Sequence, residues 1–245
     1  MKKIIALLFI TAVGYSMGYC GDGGAKPFRR VYVGLSFTPE VSYRYLVNNY
    51  VPSTGSSSSN QTAISNSNKY ASPEFGASAT FKVGINLARW LAVESGVGYS
   101  LFQYKENYPA PFQTYPAPTV TAYNQFKETY HYMAVPLGLR FSIGHRKVRG
   151  IITGGTDFDF LIKQKEVATA NYVSPEVTSV TVNTKNFHTF NLSPYFGVGV
   201  DCYATPGFVI RLMPVAQMQA LKNINQPVSE YLWNVGFNVS FLFGL

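Results

Sequence analysis

The sequence predicts an all-β fold, an eight-stranded antiparallel up-and-down transmembrane β-barrel, on three observations. The first is a two-residue period near the carboxyl end, where seven alternate positions from Tyr231 to Phe243 hold large apolar side chains. Such a period marks a strand with two unlike faces, and its length suits the roughly 9–11 residues that a tilted strand needs to cross a bilayer. The second is that no stretch beyond the amino-terminal leader has the ~18 apolar residues of a membrane-spanning helix. The third is a regular alternation of long and short connections between the predicted strands.

The composition is poor in charged and rich in aromatic side chains. Of 245 residues, 13% are charged and 16% aromatic, against a charged fraction of about 25% in an average soluble domain. The formal net charge is +8, but the basic residues are scattered along the chain, so the sequence predicts no nucleic-acid partner. A modest basic cluster from His145 to Arg149 falls in a predicted turn, and we interpret it as a solvated turn.

The first 19 residues have the features of a secretory signal peptide: Lys2 and Lys3, an apolar segment over 4–13, and small residues over 16–18. We therefore expect export to the outer membrane, a short amino-terminal segment over 20–29, and a barrel domain over 30–245. Cys20 follows the leader closely, so lipidation of Cys20 is open, as is a Cys20–Cys202 disulfide in an oxidising compartment. In a further alternative, Cys202 is simply a buried thiol.

Period-two patterns predict eight strands, each with one apolar face and one small or polar face. Their bounds are 30–47, 73–87, 90–105, 127–143, 149–163, 187–201, 207–221 and 231–243. The connections 48–72, 106–126, 164–186 and 222–229 are long, whereas 88–89, 144–148 and 202–206 are short. The Ser-rich 48–72 has too little apolar content to fold alone, and the Val/Thr alternation of 164–186 could extend both flanking strands. Because bacterial barrels have short periplasmic turns and longer external loops, we expect the long connections outside the cell.

The inner faces of the predicted strands carry charges of both signs. An eight-stranded barrel is just wide enough to be filled by side chains, and buried charges need partners. We therefore predict a structural, salt-bridged polar network in the lumen, formed by Glu40, Arg44, Glu74, Lys82, Glu94, Glu128, Arg140, Asp157, Asp159, Asp201 and Arg211. Lys163 is expected on the same face. The alternative is an ion or proton path, or a carboxylate pair such as Glu94 and Asp201 for acid–base chemistry.

The sequence contains no Ser-His-Asp pattern, no metal-spaced His/Cys cluster and no phosphate-binding glycine loop. We therefore predict a chain that is not an enzyme and that has no cofactor and no metal site. Aromatic residues near the predicted strand ends predict an interfacial girdle. Its members are Tyr43, Trp90, Tyr130, Tyr231 and Trp233.

The fourth strand reads Tyr130-His-Tyr-Met-Ala-Val-Pro-Leu-Gly-Leu-Arg-Phe141. Together with the Gly154-Gly155 strand, the Tyr195-Phe-Gly-Val-Gly199 strand and the aromatic closing strand, it resembles the PorT-like small outer-membrane β-barrels of Bacteroidota over about 30–245. The resemblance implies the lipid bilayer and the barrel assembly machinery as partners, and the name-giving member of the family is linked to a protein secretion system. One departure is that Gly244-Leu245 follow Phe243, where such barrels commonly end on an aromatic residue.

Four functional hypotheses follow from this fold. The main one is a non-enzymatic barrel that acts through its extracellular loops, in surface interaction or adhesion or as part of an envelope or secretion complex, because loops on rigid scaffolds commonly carry binding. A small-solute transporter or channel would need an open lumen. A soluble lipocalin-like binder would need the apolar faces turned inward. A lipid-trimming enzyme would need a Ser/His pair at one depth of the wall, which the strands do not provide.

Overall fold

The computed structural model describes residues 30–48, 57–108, 125–144, 147–170, 177–182, 187–205, 207–223 and 228–245. The expected signal peptide, the segment 20–29 and Cys20 lie outside the described residues, so these expectations stay predictions. Within the described ranges, no helix is long and apolar enough to cross a membrane. The elements are β1 Val31–Asn48, α1 Ser57–Tyr70, β2 Ala71–Asn86, β3 Leu91–Asn107, β4 Gln125–Ile143, β5 Val148–Ala170, β6 Val177–Val182, β7 Phe190–Thr205, β8 Phe208–Met218 and β9 Val228–Gly244.

Eight of these strands form a closed antiparallel ring. Neighbours in sequence pair with each other, β5 pairs with β7, and β1 pairs with β9 in a register that runs from Tyr32 opposite Gly244 to Asn48 opposite Val228. The remaining strand, β6, pairs with the far end of β5 beyond the ring. The predicted eight-stranded up-and-down barrel is therefore confirmed, and β9 closes it against β1.

The apolar faces of the strands point away from the lumen. Leu35 is 62% exposed, Phe75 61% and Phe196 57%, whereas Tyr32 and Arg211, on the opposite faces, are fully buried. A hydrocarbon environment covers such a surface, and closure satisfies the backbone groups of every strand in the ring. The soluble lipocalin-like alternative required the reverse arrangement of the two faces, and it is wrong for this reason.

A helix stands where the sequence predicted an unfolded polar loop. Helix α1 has little apolar content, but Ile64 is buried against the barrel rim. The Ser67 hydroxyl donates to Glu106 Oε1 at 2.7 Å and accepts a short hydrogen bond from the Arg44 guanidinium. The prediction for 48–72 was wrong over α1 because these tertiary contacts, rather than an apolar face, hold the helix in place.

A bulge in β5 changes the face that its last residues present. His131 of β4 lies opposite Lys163, but its neighbour Tyr132 lies opposite Leu161, so one β5 residue between them is left without a partner. As a result Lys163 is exposed on the outer surface, and its prediction as a lumen residue was wrong. Beyond the bulge, β5 continues to Ala170 and pairs with β6. The Val/Thr alternation of 164–186 thus extends only one of the two flanking strands, because β6 is a separate strand and β7 begins at Phe190.

Near the short turns, the side chain of Tyr32 lies against the backbone of Gly84 inside the lumen. The ring of Tyr32 lies over Gly84, its cross-strand partner, and a Cβ on Gly84 would come within 2.1 Å of the Tyr32 ring. Glycine is thus required here for the tyrosine to reach across the lumen.

Candidate functional site

The lumen holds its polar side chains in three layers, and the first lies near the short turns. Arg211, on β8, donates to Asp201 Oδ1 from Nε at 2.8 Å and to Glu94 from Nη1 at 2.9 Å. Arg140, on β4, donates to Asp201 Oδ2 at 2.6 Å and lies 3.5 Å from Glu94. The residues come from four strands, because the inward positions of β3, β4, β7 and β8 meet at this depth. Two carboxylates and two guanidinium groups make a balanced cluster, which we call the arginine network.

Two neutral side chains extend the arginine network across the barrel. The Tyr32 hydroxyl donates to Glu94 Oε1 at 2.5 Å, and Arg140 Nη2 donates to Asn86 at 2.7 Å. Arg211 and Asp201 are fully buried, and Arg140 and Glu94 are nearly so. This layer therefore closes the lumen with charge-assisted hydrogen bonds.

The second layer surrounds a small cavity half-way along the barrel. The cavity has a volume of about 60 Å³, and Lys82, Glu40 and Asp157 are among the residues that line it. Asp157 accepts a hydrogen bond from Gln217 Nε2 at 2.9 Å, and Asp159 accepts one from the Ser193 hydroxyl. Glu40, Asp157 and Asp159 each keep one buried carboxylate oxygen without a hydrogen-bond partner among the described residues. At about 30 Å³ per molecule, the cavity has room for about two waters beside Glu40 and Asp157, which line it.

The third layer lies at the loop end and includes residues that the sequence analysis missed. Arg44 pairs with Glu106 and lies 3.5 Å from Glu230. The Tyr104 and Tyr130 hydroxyls donate to Glu230 at 2.9 and 2.8 Å. We call this set, with Ser67 of α1, the upper cluster.

An aromatic plug supports the upper cluster. Phe102, Tyr104, Tyr130, Tyr132 and Leu232 form one buried apolar cluster across three strands. Rings 102 and 132 meet edge to face, with centroids 5.7 Å apart. All five side chains are at most 3% exposed, so the plug is a second packed layer of the lumen in addition to the arginine network.

The eleven predicted lumen residues therefore do not form one network. The arginine network contains Glu94, Arg140, Asp201 and Arg211. The second layer contains Glu40, Lys82, Asp157 and Asp159, and Arg44 belongs to the upper cluster. Glu128 accepts a short hydrogen bond from Gln164, while Glu74 lies at the rim, 3.8 Å from Lys127.

The predicted girdle residues occupy both ends of the barrel wall, with one exception. Tyr43 and Trp233 are cross-strand neighbours whose ring centroids lie 6.0 Å apart, and Tyr231 lies opposite Tyr45. Trp90 stacks with Phe141 at the short-turn end, at a centroid distance of 6.0 Å. Tyr130 is only 1% exposed and belongs to the aromatic plug. Its prediction as an interfacial residue was wrong, because its place in the period-two pattern of β4 turns it into the lumen.

The chemistry of the arginine network and of the upper cluster is that of tight ion pairing. Glu94 and Asp201, the candidate acid–base pair, are both bound by guanidinium groups. Across the described ranges, no group of three or more His, Cys, Asp or Glu side chains is arranged to hold a metal ion. Glu106 and Glu230 escaped the sequence analysis because β3 and β9 run further than their predicted bounds, whereas Tyr104 lies within the predicted third strand. The alternation of β3 puts Tyr104 inward and, continued one position past the predicted end, does the same for Glu106.

At the loop end, beyond the apolar outer surface of the ring, which we call the membrane band, the barrel rises higher at β5 than at the neighbouring β7. β3, β4 and β5 stay paired up to Asn107 opposite Gln125 and Gln125 opposite Thr169, and β6 adds a fourth strand. The neighbouring strand β7 begins at Phe190, opposite Phe160. We call this four-stranded extension the extracellular wall, because the rule of short periplasmic turns predicts that the long connections beside it lie outside the cell.

This architecture defines an outer-membrane β-barrel. The chain belongs to the outer membrane protein beta-barrel domain family, whose model matches residues 35–245. The family places the protein in the outer membrane, with the lipid bilayer around its apolar face. No curated protein matches the chain in sequence.

Several solved structures are similar to the chain at low sequence identity. The outer membrane protein OprG from Pseudomonas aeruginosa is 7% identical, with 91% of this chain and 100% of that chain covered and a TM-score of 0.43. Neisserial surface protein A (NspA) is 12% identical, with 88% and 98% covered and a TM-score of 0.40. Ail, the attachment invasion locus protein of Yersinia pestis, in complex with the heparin analogue sucrose octasulfate, is 12% identical, with 86% and 99% covered and a TM-score of 0.36.

Proposed function

We propose that the protein is a non-enzymatic outer-membrane barrel that acts through its extracellular wall, in surface interaction or adhesion or as part of an envelope complex. The observation that carries this proposal is a tall, one-sided sheet above a lumen filled by side chains. The lumen supplies rigidity and the wall supplies an accessible surface, which is the arrangement in which loops and rims commonly bind partners.

The size and position of the wall support an interaction role. From Phe160 to Ala170, β5 extends about 33 Å along its own axis at roughly 3.3 Å per residue. Its outer surface is polar where the membrane band is apolar, since Lys163 is exposed directly after the exposed, apolar Ile162. A strand that only crossed the bilayer would end near this change, because about 9–11 residues suffice for crossing.

The fourth strand and the closing strand support two finer assignments. We infer that the chain belongs to the PorT-like barrels of Bacteroidota, from Tyr130, Tyr132 and Pro136-Leu137 in β4, so the envelope complex would include a protein secretion system. We also infer that the barrel assembly machinery recognises β9, whose apolar face runs to Phe243 next to the carboxyl end.

Site-specific photo-crosslinking in intact cells tests the proposal. A photoreactive amino acid at Thr181 or Lys163 should form protein adducts, because both positions are exposed on the wall. The same group at Phe37, which is 51% exposed in the membrane band, is the matched control and should give no protein adduct. Adducts formed by the producing cells alone indicate an envelope complex, and adducts that need added target cells indicate adhesion. No adduct at either wall position in either condition would contradict the proposal.

Two shortened variants separate the wall from its tip. Lys165 and Val182 are cross-strand partners, so an Asn-Gly turn can replace residues 166–181 without disturbing the ring. Ala170 and Val177 are also partners, so the same turn can replace 171–176 and keep the four-stranded wall. If the wall binds the partner, the first variant loses the adducts at Lys163 and the second keeps them. Migration of unheated and boiled protein in detergent gels shows that both variants remain folded barrels.

A further inference from the structure

A second cavity opens at the opposite end of the barrel, inside the ring of short turns. Its volume is about 230 Å³, and the charged side chains that line it are Arg30, Arg89, Arg140 and Arg149. Arg30 directly precedes β1, Arg89 lies in the turn between β2 and β3, and Arg149 lies at the start of β5. The rule of short periplasmic turns places this opening on the periplasmic side.

The lining of this cavity carries four guanidinium groups and no carboxylate among the described residues. Arg140 forms ion pairs with Asp201 and Glu94 of the arginine network, on the lumen side of the cavity. Arg149 is only 7% exposed, and its guanidinium lies over the ring of Tyr203, 4.5 Å from the ring centroid. Arg30 and Arg89 are exposed at the mouth. Arg140 and Arg149 are thus held in the lining of the cavity, whereas the exposed side chains of Arg30 and Arg89 can move toward a ligand that enters it.

We propose that this periplasmic cavity is a binding site for a phosphate group. Like charges gathered at one opening repel each other, and an anion between them would offset that repulsion. The planar guanidinium fork matches the oxygen geometry of phosphate and forms paired charge-assisted hydrogen bonds with it. At about 30 Å³ per water, the cavity has the space of roughly seven water molecules, enough for a phosphate group that keeps part of its hydration shell.

Two sources can supply this chemistry at the periplasmic face. One is the headgroup of a phospholipid in the surrounding leaflet, which would enter the cavity past the turn that carries Arg89. The other is a free phosphorylated solute in the periplasm. The two differ in whether an acyl chain is attached, so matched probes distinguish them.

Calorimetric titration of the full-length protein in an uncharged detergent tests the site. The probes are inorganic phosphate and dihexanoyl phosphatidylglycerol, each titrated at low and at high salt. The variant is Arg30→Gln with Arg89→Gln, which removes exposed side chains. The matched control is Lys69→Gln with Lys163→Gln, which makes the same change in net charge at exposed positions of the loop end. If the double arginine variant does not assemble, Arg89→Gln alone is used, and migration of unheated and boiled samples checks the fold.

The wild-type protein should bind at least one probe, more weakly at high salt, since salt screens exposed charges. The arginine variant should bind that probe at least about tenfold more weakly, because charge-assisted hydrogen bonds are lost, and the lysine variant should match the wild type. Binding of the lipid probe alone identifies the headgroup as the source, and binding of inorganic phosphate, with or without the lipid, identifies a site open to free solutes. Binding of neither probe, or equal weakening in the two variants, overturns the proposal.

Discussion

Replacement of Arg211 by Met is the sharpest test of how the lumen is held together. Arg211 is fully buried and reaches two carboxylates, with Nε and Nη2 on Asp201 at 2.8 and 3.3 Å and Nη1 on Glu94 at 2.9 Å. Methionine keeps much of the side-chain volume but removes the charge. The arginine network is then left with two carboxylates and the single guanidinium of Arg140.

The size of the effect follows from the charge that is left behind. Removal of one partner of a buried ion pair costs about 3–5 kcal/mol, because the other charge stays buried without compensation. We therefore expect the free energy of unfolding of Arg211→Met to fall by about 3–5 kcal/mol. The double variant Arg211→Met with Asp201→Asn leaves Arg140 and Glu94 as a balanced pair, 3.5 Å apart. Because charge balance is restored, the double variant should lose at least about 1.5 kcal/mol less than the single variant.

Urea unfolding of the barrel in lipid vesicles, followed by tryptophan fluorescence, measures these differences. Trp90 lies near the short-turn end of the barrel and Trp233 near the loop end, so their fluorescence reports on both halves of the structure. Arg89→Met is the matched control, since Arg89 is exposed at the mouth and outside the network, and it should change stability by less than about 0.5 kcal/mol. A single variant within about 1 kcal/mol of the wild type, or a double variant less stable than the single one, would refute the view that ion pairing holds this layer.

Three further predictions concern the lumen and the rim. Planar-bilayer recordings of the wild-type protein should show no ion conductance, because the arginine network and the aromatic plug both fill the cross-section; reproducible single-channel steps would contradict this. Gly84→Ala should lower the free energy of unfolding by about 1–3 kcal/mol through overpacking against Tyr32. Gly150→Ala, whose added Cβ would have its nearest neighbour at 3.9 Å, should change it by less than about 0.5 kcal/mol, and equal effects would count against the steric argument. Ser67→Ala should speed amide hydrogen exchange in α1 while exchange in the ring strands stays unchanged, and unaltered exchange in α1 would show that other contacts hold the helix.

The ring could be predicted from the sequence because its physical cause is local and repeated. Each membrane strand must present apolar side chains to lipid at alternate positions, so the pattern from Tyr231 to Phe243 predicts the outer face of β9 and most of its length. Charges at the remaining positions must then lie in the lumen, which placed Glu94, Arg140 and Arg211 correctly on the inner face.

The remaining features depend on contacts that no local pattern contains. Helix α1 has a polar sequence and is held by Ile64 and Ser67 against strands that lie far from it in the chain. The bulge in β5 reverses the face of Lys163 without any Gly or Pro at that point. Tyr130 was misplaced for a different reason, because a general preference of tyrosine for interfaces was given more weight than the strand's own alternation.

The two filled layers support the proposal of binding over transport as the use of this barrel. A solute that crosses the lumen must displace Arg211 from Asp201 and Glu94, and breaking such a buried pair costs about 3–5 kcal/mol. It must also part the aromatic plug, where Tyr130 and Tyr104 are bonded to Glu230 through a separate set of hydrogen bonds. Arg211 and Glu230, at the centres of the two layers, bind different partners among the described residues, so a solute has to displace each set separately. Transport would need two independent rearrangements, whereas recognition at the extracellular wall or at the periplasmic mouth needs neither.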